Sequence, residues 1–373
     1  MATAVINSRK ELKEVLQNRM AASYEDIRED QRLDEDKTYL KSYLIESDRD
    51  DFSSNIVGTD KYSVETVPTE DKGFVNLKVR NGSESTERFY LDKLDDRFWS
   101  IHTLAKSRVS DRFIEKVVFP RYTKLDFPWL SNQFLRTLGE ENNFRSFSLK
   151  FEDEFGNLGN NSSSGQISGM SMRLWGGTAQ EVLDKLSDDE TIGSSTSLSN
   201  IGIRREVGDG EVVLEDITNQ GKFTARGDSV DGHFYQLNIV KERYHELLQI
   251  IEEEYSISRG TGESSSKISG SPLTINLDRE ITDFEDFFDT ILTSKKPFRL
   301  WGVYNKIGDD YYRVSGVDQH TGDEVNLEVS SEWIRVYLPE GSCGNVVLRL
   351  YSIIQHYFDS RAELVGIDHG IIV

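Results

Sequence analysis

The stretch EVNLEVSSEWIRVYL, Glu324–Leu338, can hold two short strands that break near its paired serines. A turn, QHTG at 319–322, precedes it, and YYRVSGVD at 311–318 and FRLWGVYNKI at 298–307 supply two more strands. Short strands joined by tight turns are typical of hairpins, and hairpins build antiparallel sheets. The sequence therefore predicts four consecutive strands in an antiparallel sheet.

Helical patterns flank these four strands. The strand LTINL at 273–277 and a helix capped by Thr282 come before them, and a helix with apolar residues at helical spacing follows them. Residues 271–373 therefore have the predicted order strand, helix, four strands, helix.

The same order is predicted upstream, over residues 170–257. A strand, MSMRLW, is followed by a helix capped by Thr178 and, at the end of the unit, by a helix with Tyr244 and Leu248 on its apolar side. Four stretches between the helices are predicted strands: TSLSNIGIRREV (196–207), EVVLEDI (211–217), KFTARG (222–227) and HFYQLNIV (233–240).

Two pairs of markers support an internal duplication. The turn glycines Gly221 and Gly322 lie 101 positions apart, and the capping threonines Thr178 and Thr282 lie 104 apart. The two RLWG tetrapeptides lie 126 positions apart, on the first strand of one copy and the second strand of the other. They therefore do not mark the repeat. The alternative is that alternating strands and helices produce this order by chance.

The predicted fold class is α+β, with a mixed N-terminal domain before two tandem β-α-β-β-β-β-α units with antiparallel sheets. The predicted segments are an N-terminal domain (1–155), a Gly/Ser/Asn-rich linker (156–169), a first unit (170–257), a Ser/Gly-rich linker (258–270) and a second unit (271–373). Over about residues 168–360, this element order resembles the repeats of the TATA-box-binding protein fold. The resemblance implies a broad open sheet face.

The N-terminal domain is predicted to begin with helix over 8–50, where Ser8 and Glu11 fit a capping box. Alternating strands begin near Tyr62, and apolar spacing from Leu94 to Leu104 indicates another helix. Residues 111–140 are predicted to be mainly helical.

Composition narrows the function classes. The formal net charge is −21, which repels phosphate backbones unless cations cluster locally. Such a charge either keeps the protein in solution or attracts a basic partner. No apolar run approaches the roughly 18 residues of a membrane span. The one cysteine excludes an intrachain disulfide, and the default prediction is a cytoplasmic protein.

No sequence pattern points to catalysis. Phosphate-binding and dinucleotide motifs are absent, the six histidines are scattered, and one cysteine excludes a multi-thiolate zinc site. We predict no catalytic residues, no metal and no cofactor, although a hydrolase with dispersed carboxylates and histidines remains an alternative.

Strand arginines and aromatic residues are the predicted contact residues, because such side chains dominate interface hot spots. They are Arg173, Trp175, Arg204, Arg205, Phe223, Arg226, Arg299, Trp301, Tyr304, Tyr311 and Arg313. The leading prediction is a non-enzymatic binding or adaptor protein that acts in a protein complex. The first alternative is a nucleic-acid-binding saddle, in which these aromatic residues stack on bases.

Overall fold

A computed structural model describes residues 6–25, 39–47, 56, 58–82, 86–119, 124–155, 167–261, 266–366 and 370. The fold is α+β with antiparallel sheets, as the sequence predicts. The helices of the described residues are α1 (Arg9–Glu25), α2 (Ser107–Phe113), α3 (Asn132–Glu140), α4 (Ala179–Asp188), α5 (Val230–Glu254), α6 (Phe284–Ile291) and α7 (Asn345–Tyr357). A π-helical turn, Ile114–Val118, continues α2.

The strands are, in chain order, β1 (Leu40–Ser47), β2 (Tyr62–Pro68), β3 (Phe74–Asn81), β4 (Glu87–Lys93), β5 (Phe98–Thr103), β6 (Leu125–Asp126), β7 (Asn143–Glu152), β8 (Gly169–Trp175), β9 (Leu198–Glu206), β10 (Val212–Thr218), β11 (Lys222–Gly227), β12 (Ser256–Thr261), β13 (Ser266–Ser269), β14 (Leu273–Asn276), β15 (Leu300–Gly308), β16 (Tyr311–Asp318), β17 (Glu324–Ser330), β18 (Trp333–Pro339) and β19 (Glu363–Val365).

The chain divides into two compact units. Unit 1 consists of Met1–Pro128, Glu141–Phe144 and Gly202–Lys241, and unit 2 consists of Trp129–Glu140, Arg145–Ile201 and Glu242–Val373. Both units are therefore assembled from segments that are separated in the sequence.

The sheet of unit 1 is built around β1. Its strands run in the order β2-β3-β4-β5-β1-β11-β10, and every neighbouring pair is antiparallel. All eight residues of β1 are buried, since apolar clusters cover both faces of the sheet. One cluster contains Phe113 and the π-helical turn, and the other contains Leu12 and Leu16 of α1.

Two helical predictions for unit 1 are corrected. Residues 40–47 form the central strand β1 rather than helix, and residues 26–38 lie outside the described part of the chain. Phe98–Thr103 is strand β5, which pairs with β4 and β1, and all six of its residues are buried because apolar clusters cover both faces of the sheet. At α1, the Ser8 hydroxyl accepts the Glu11 N–H at 3.2 Å, whereas the Glu11 carboxylate reaches Asn7 rather than Ser8.

Unit 2 contains the second sheet, in the order β13-β12-β18-β17-β16-β15. β14 and β19 also pair within it, and β12 pairs with β18 in parallel. One face is apolar and buried, as Leu327 and Val336 show. Arg349 of α7 forms a buried ion pair with Asp318 of β16, which places α7 on this side.

The predicted element order is found over residues 271–373: strand β14, helix α6, strands β15 to β18 and helix α7. The stretch 170–257 differs, because 233–240 is the start of α5 and not a fourth strand. Of this stretch, Gly202–Lys241 belongs to unit 1, where β11 pairs with β1. The resemblance in element order to the TATA-box-binding protein repeats is thus limited to the second copy.

Several local predictions differ in detail. Strands β12 and β13 form a hairpin in the predicted linker 258–270, and most of the linker 156–169 lies outside the described residues. Asp283 caps α6 in place of Thr282, because its carboxylate accepts the Asp286 N–H; Thr178 precedes α4 but makes no side-chain cap bond. No described helix has the length and apolar character needed to cross a membrane.

Candidate functional site

Strands β15 to β18 leave one side of the sheet of unit 2 exposed, and we call this side the outer face. It carries Trp301, Val303, Tyr311, Arg313, Val317, Glu328, Trp333, Arg335 and Tyr337. On β18 these residues alternate with the buried Ile334, Val336 and Leu338. Period-two alternation thus places the polar and aromatic side chains outward and the aliphatic ones in the core.

One half of the outer face is apolar. Trp301 is 55% exposed and Val303 is 57% exposed. Trp301 lies directly opposite Val317 in the β15–β16 ladder, and Val317 is also exposed. Neighbouring exposed apolar side chains of this kind mark interaction sites more often than scattered ones do.

The other half of the outer face is organised around Glu328. Arg313 donates to its Oε1 at 3.0 Å, and the Tyr337 hydroxyl donates to its Oε2 at 2.8 Å. Desolvation alone would raise the pKa of Glu328, but hydrogen bonds from Tyr337, Arg313 and Tyr311 outweigh it and lower the pKa. The carboxylate is therefore held ionised and fixes its three neighbours.

Aromatic contacts extend this arrangement across β16 and β18. The Arg335 guanidinium carbon lies 4.3 Å from the centre of the Trp333 ring, a cation–π geometry. The ring centres of Trp333 and Tyr311 are 5.9 Å apart. These side chains form a pre-organised surface, so less conformational entropy is lost when a partner binds.

Three predicted contact residues, Trp301, Tyr311 and Arg313, lie together on the outer face. Tyr304 does not, because its ring stacks on Phe288 of α6 at 4.4 Å on the opposite face. Arg299 precedes β15, with a φ of 55°.

The other predicted residues of unit 2 lie on β8. Arg173 is exposed, and Trp175 is 47% exposed. The tryptophans of both RLWG tetrapeptides, Trp175 and Trp301, are thus exposed strand residues.

The structure buries the predicted contact residues Phe223 and Arg226. Phe223 is fully buried, and Arg226 is buried in unit 1 with its guanidinium 3.7 Å from Asp216. Both lie on β11, in which five of the six residues are buried because apolar clusters cover both faces of this sheet.

Arg204 and Arg205 line a cleft of about 550 Å³ in unit 1. Arg204 pairs with Glu206 at 2.6 Å, and Arg205 donates to Gln236 at 2.8 Å and stacks on Tyr235 at 4.3 Å. Both cations are therefore engaged by neighbouring side chains.

Sequence reasoning missed six residues of the outer face: Val303, Val317, Glu328, Trp333, Arg335 and Tyr337. The signal was available in the alternation of WIRVYL, in which Trp, Arg and Tyr share one face.

Unit 1 contains a second arrangement that sequence reasoning missed, a buried hydrogen-bonded chain. Ser100 Oγ lies 2.8 Å from His102 Nε2, and His102 Nδ1 lies 2.7 Å from Ser42 Oγ. Ser42 Oγ also lies 2.7 Å from His233 Nε2, and His233 Nδ1 lies 2.5 Å from Glu215 Oε1. We call these five residues the buried chain.

The buried chain can satisfy its hydrogen bonds in one direction. Ser100 donates to His102, His102 to Ser42, Ser42 to His233, and His233 to Glu215. Burial, and next the charge of His233, lowers the pKa of His102 to about 3, so this imidazole is neutral. Burial raises the pKa of Glu215, although the contact with His233 opposes that change.

Ser42, His233 and Glu215 have the order of a nucleophile, a base and an orienting carboxylate. None of these three side chains is more than 1% exposed, so a substrate cannot reach Ser42 in this structure. The arrangement therefore acts as a structural tie between β1, β5, β10 and α5. Within the described residues, no three His, Cys, Asp or Glu side chains are arranged to hold a metal ion.

Comparison with known proteins identifies the family. A family model described as MJECL33-like protein matches residues 1–373, and the chain belongs to this family. A relative named "Uncharacterized protein MJECL33", from Methanocaldococcus jannaschii, is 30% identical over an alignment that covers 96% of this chain and 94% of the relative. No solved structure matches the chain significantly.

Proposed function

We propose that this member of the MJECL33-like protein family is a non-enzymatic binding protein that docks a protein partner on the outer face of unit 2. The observation that carries this proposal is the composition of the face. Two tryptophans, two tyrosines and two arginines share one side of four adjacent strands. These are the residue types that supply most of the binding energy at protein interfaces.

The two halves of the face fit different parts of an interface. Trp301, Val303 and Val317 offer apolar area for a buried centre, since they are exposed and adjacent. Tyr337 and Arg313, which Glu328 holds in place, supply directional hydrogen bonds beside it.

Charge favours a protein over a nucleic acid. The charge of Arg313 is paired with Glu328, and Glu324 lies on the same face opposite Val317. With a net charge of −21, the chain supplies no excess of cations for a phosphate backbone. A cytoplasmic location remains a prediction.

The test compares Trp301→Ala with Tyr235→Ala, a matched control because Tyr235 is 56% exposed on unit 1. A partner is first identified by co-purification with the full chain and then purified for binary titration. We expect Trp301→Ala to weaken binding at least about tenfold, the usual loss at a hot spot. Equal affinity of wild type and Trp301→Ala would refute the outer face as the contact surface.

The same titration separates the alternative. A nucleic-acid binder would bind a mixed-sequence oligonucleotide with an affinity that falls steeply as salt rises. We expect no such binding.

A further inference from the structure

Strand β15 has one edge that no other strand of the described chain covers. It pairs with β16 on one side and is the last strand of its sheet. The beginning of the other edge meets the segment after α6, where Ser294 N–H donates to Leu300 O at 2.9 Å and Thr293 bridges to Trp301. Beyond Trp301, the described residues place no strand against this edge.

The direction of the backbone groups follows from Leu300. Its carbonyl points to the uncovered edge, and successive residues of a strand point their N–H and C=O groups to alternate sides. Tyr304 and Lys306 therefore also direct their backbone groups to this edge. The side chains of all five residues from Val303 to Ile307 are exposed, which agrees with a strand that has a neighbour on one side only.

Carboxylates lie near the uncovered edge beyond Trp301, whereas Lys295 and Lys296 are exposed in the segment that meets its beginning. The pKa of Tyr304 is raised, first by desolvation and then by the nearby carboxylates of Glu285 and Asp289 on α6. Asp309 and Asp310 are exposed at the turn that ends β15, whereas Lys306 is the one cation of the strand. Beyond Trp301, the edge thus has no pairing strand among the described residues, and Glu285, Asp289, Asp309 and Asp310 are the carboxylates near it.

We propose that the uncovered edge of β15 pairs with an extended, basic segment of a partner protein, which adds a strand to the sheet. Strand addition uses backbone hydrogen bonds for affinity and side-chain contacts for specificity. Charge selects the partner: Lys or Arg side chains would meet Glu285, Asp289, Asp309 and Asp310. A second copy of this chain does not fit, since each copy carries a net charge of −21 and the same acidic edge.

This proposal rests on the proposed function and names the mode of contact and the chemistry of the partner. An added strand would continue the outer face beyond β15, next to Trp301 and Val303.

The test uses the full chain and an end-capped, fluorescently labelled peptide of alternating lysine and valine. A second peptide has the same side chains but a methyl group on every backbone amide, and a third has glutamate in place of lysine. We expect saturable binding of the first peptide, measured by fluorescence anisotropy, and at least about tenfold weaker binding of the other two. Equal binding of the first and methylated peptides would overturn the proposal.

A pair of variants tests the protein side. Lys306→Pro removes the outward N–H, and proline is tolerated on edge strands; Lys306→Ala removes the side chain and keeps the N–H. We expect Lys306→Pro to weaken peptide binding at least about tenfold and Lys306→Ala to preserve it. Equal affinities of Lys306→Pro and Lys306→Ala for the peptide would overturn strand pairing. The methylated peptide tests strand pairing on the wild-type chain, so that test does not depend on whether a variant folds.

The two proposals can fail separately. If Trp301→Ala loses its partner while the Lys306→Pro variant binds the peptide normally, strand pairing is wrong and the outer face stands. If Lys306→Pro loses the peptide while Trp301→Ala keeps the partner, the outer-face proposal is wrong.

Discussion

Replacing Ser42 by alanine tests whether the buried chain holds unit 1 together. The Ser42 hydroxyl lies 2.7 Å from His102 Nδ1 and 2.7 Å from His233 Nε2. Its removal leaves two buried ring nitrogens without this partner, and water does not reach them because Ser42, His102 and His233 are at most 1% exposed.

The expected loss of unfolding free energy is about 2–6 kcal/mol. An unsatisfied buried donor or acceptor costs roughly 1–3 kcal/mol, and the substitution creates two. The free energy of unfolding of a typical domain is about 5–15 kcal/mol, so Ser42→Ala should remove a large share of the stability of unit 1. With a slope of about 2 kcal/mol per molar urea, the midpoint should fall by about 1–3 M.

Urea unfolding of the full chain measures the loss, and hydrogen–deuterium exchange of peptides from β1 and β5 assigns it to unit 1. Ser63→Ala is the matched control, because Ser63 is exposed on β2 and its replacement should change stability by at most about 0.5 kcal/mol. A Ser42→Ala variant as stable as Ser63→Ala would show that the buried chain carries no stability.

Three further predictions concern buried charges. Below pH 6.5 His102 binds a proton in the unfolded chain, whereas in the folded chain it stays neutral until about pH 3. As pH falls through this window, the unfolding free energy of wild type should therefore decrease by about 1.4 kcal/mol per pH unit relative to His102→Gln, measured by urea titration. Burial, and next the charge of Lys222, lowers the pKa of Lys41 to about 8. Between pH 8 and 10.5 Lys41 is thus protonated in the unfolded chain and neutral in the folded one, so the unfolding free energy of wild type should rise with pH relative to Lys41→Met, with a similar slope in the same assay. Arg349→Met should cost about 3–5 kcal/mol in urea unfolding, since it leaves the buried Asp318 carboxylate without its cationic partner and with only the hydrogen bonds from Thr321. The double variant Arg349→Met/Asp318→Asn should recover part of that loss.

The fold was predictable where one side of an element is exposed. Strand β18 shows this, because its outward Trp333 and Tyr337 alternate with buried aliphatic residues. Strand β5 is buried on both sides, so it has no alternation, and the spacing of Phe98 and Ile101 resembles a helix. The stretch 233–240 was predicted as a strand because several of its apolar positions alternate, but it lies within α5, a helix of 25 residues.

The candidate site was predictable only in part, for a related reason. Trp301, Tyr311 and Arg313 could be chosen by residue type, but Phe223 and Arg226 have the same chemistry and are buried. What separates the two groups is whether the face that carries the side chain is covered: one face of β15 and β16 is exposed, whereas five of the six residues of β11 are buried. The buried chain required the fold itself, since Ser42 and His233 are 191 positions apart.

The pairing of β1 with β11 has a consequence for biosynthesis. Tyr43 lies opposite Lys222, so about 180 residues must be translated after β1 before its neighbour exists. At about 5–20 residues per second, the nascent chain carries an incomplete sheet for roughly 10–35 s. During this interval the edge of β1 that later pairs with β11, Leu40–Tyr43, is open to pairing with other strands. A fragment that ends before residue 222 would keep this edge open.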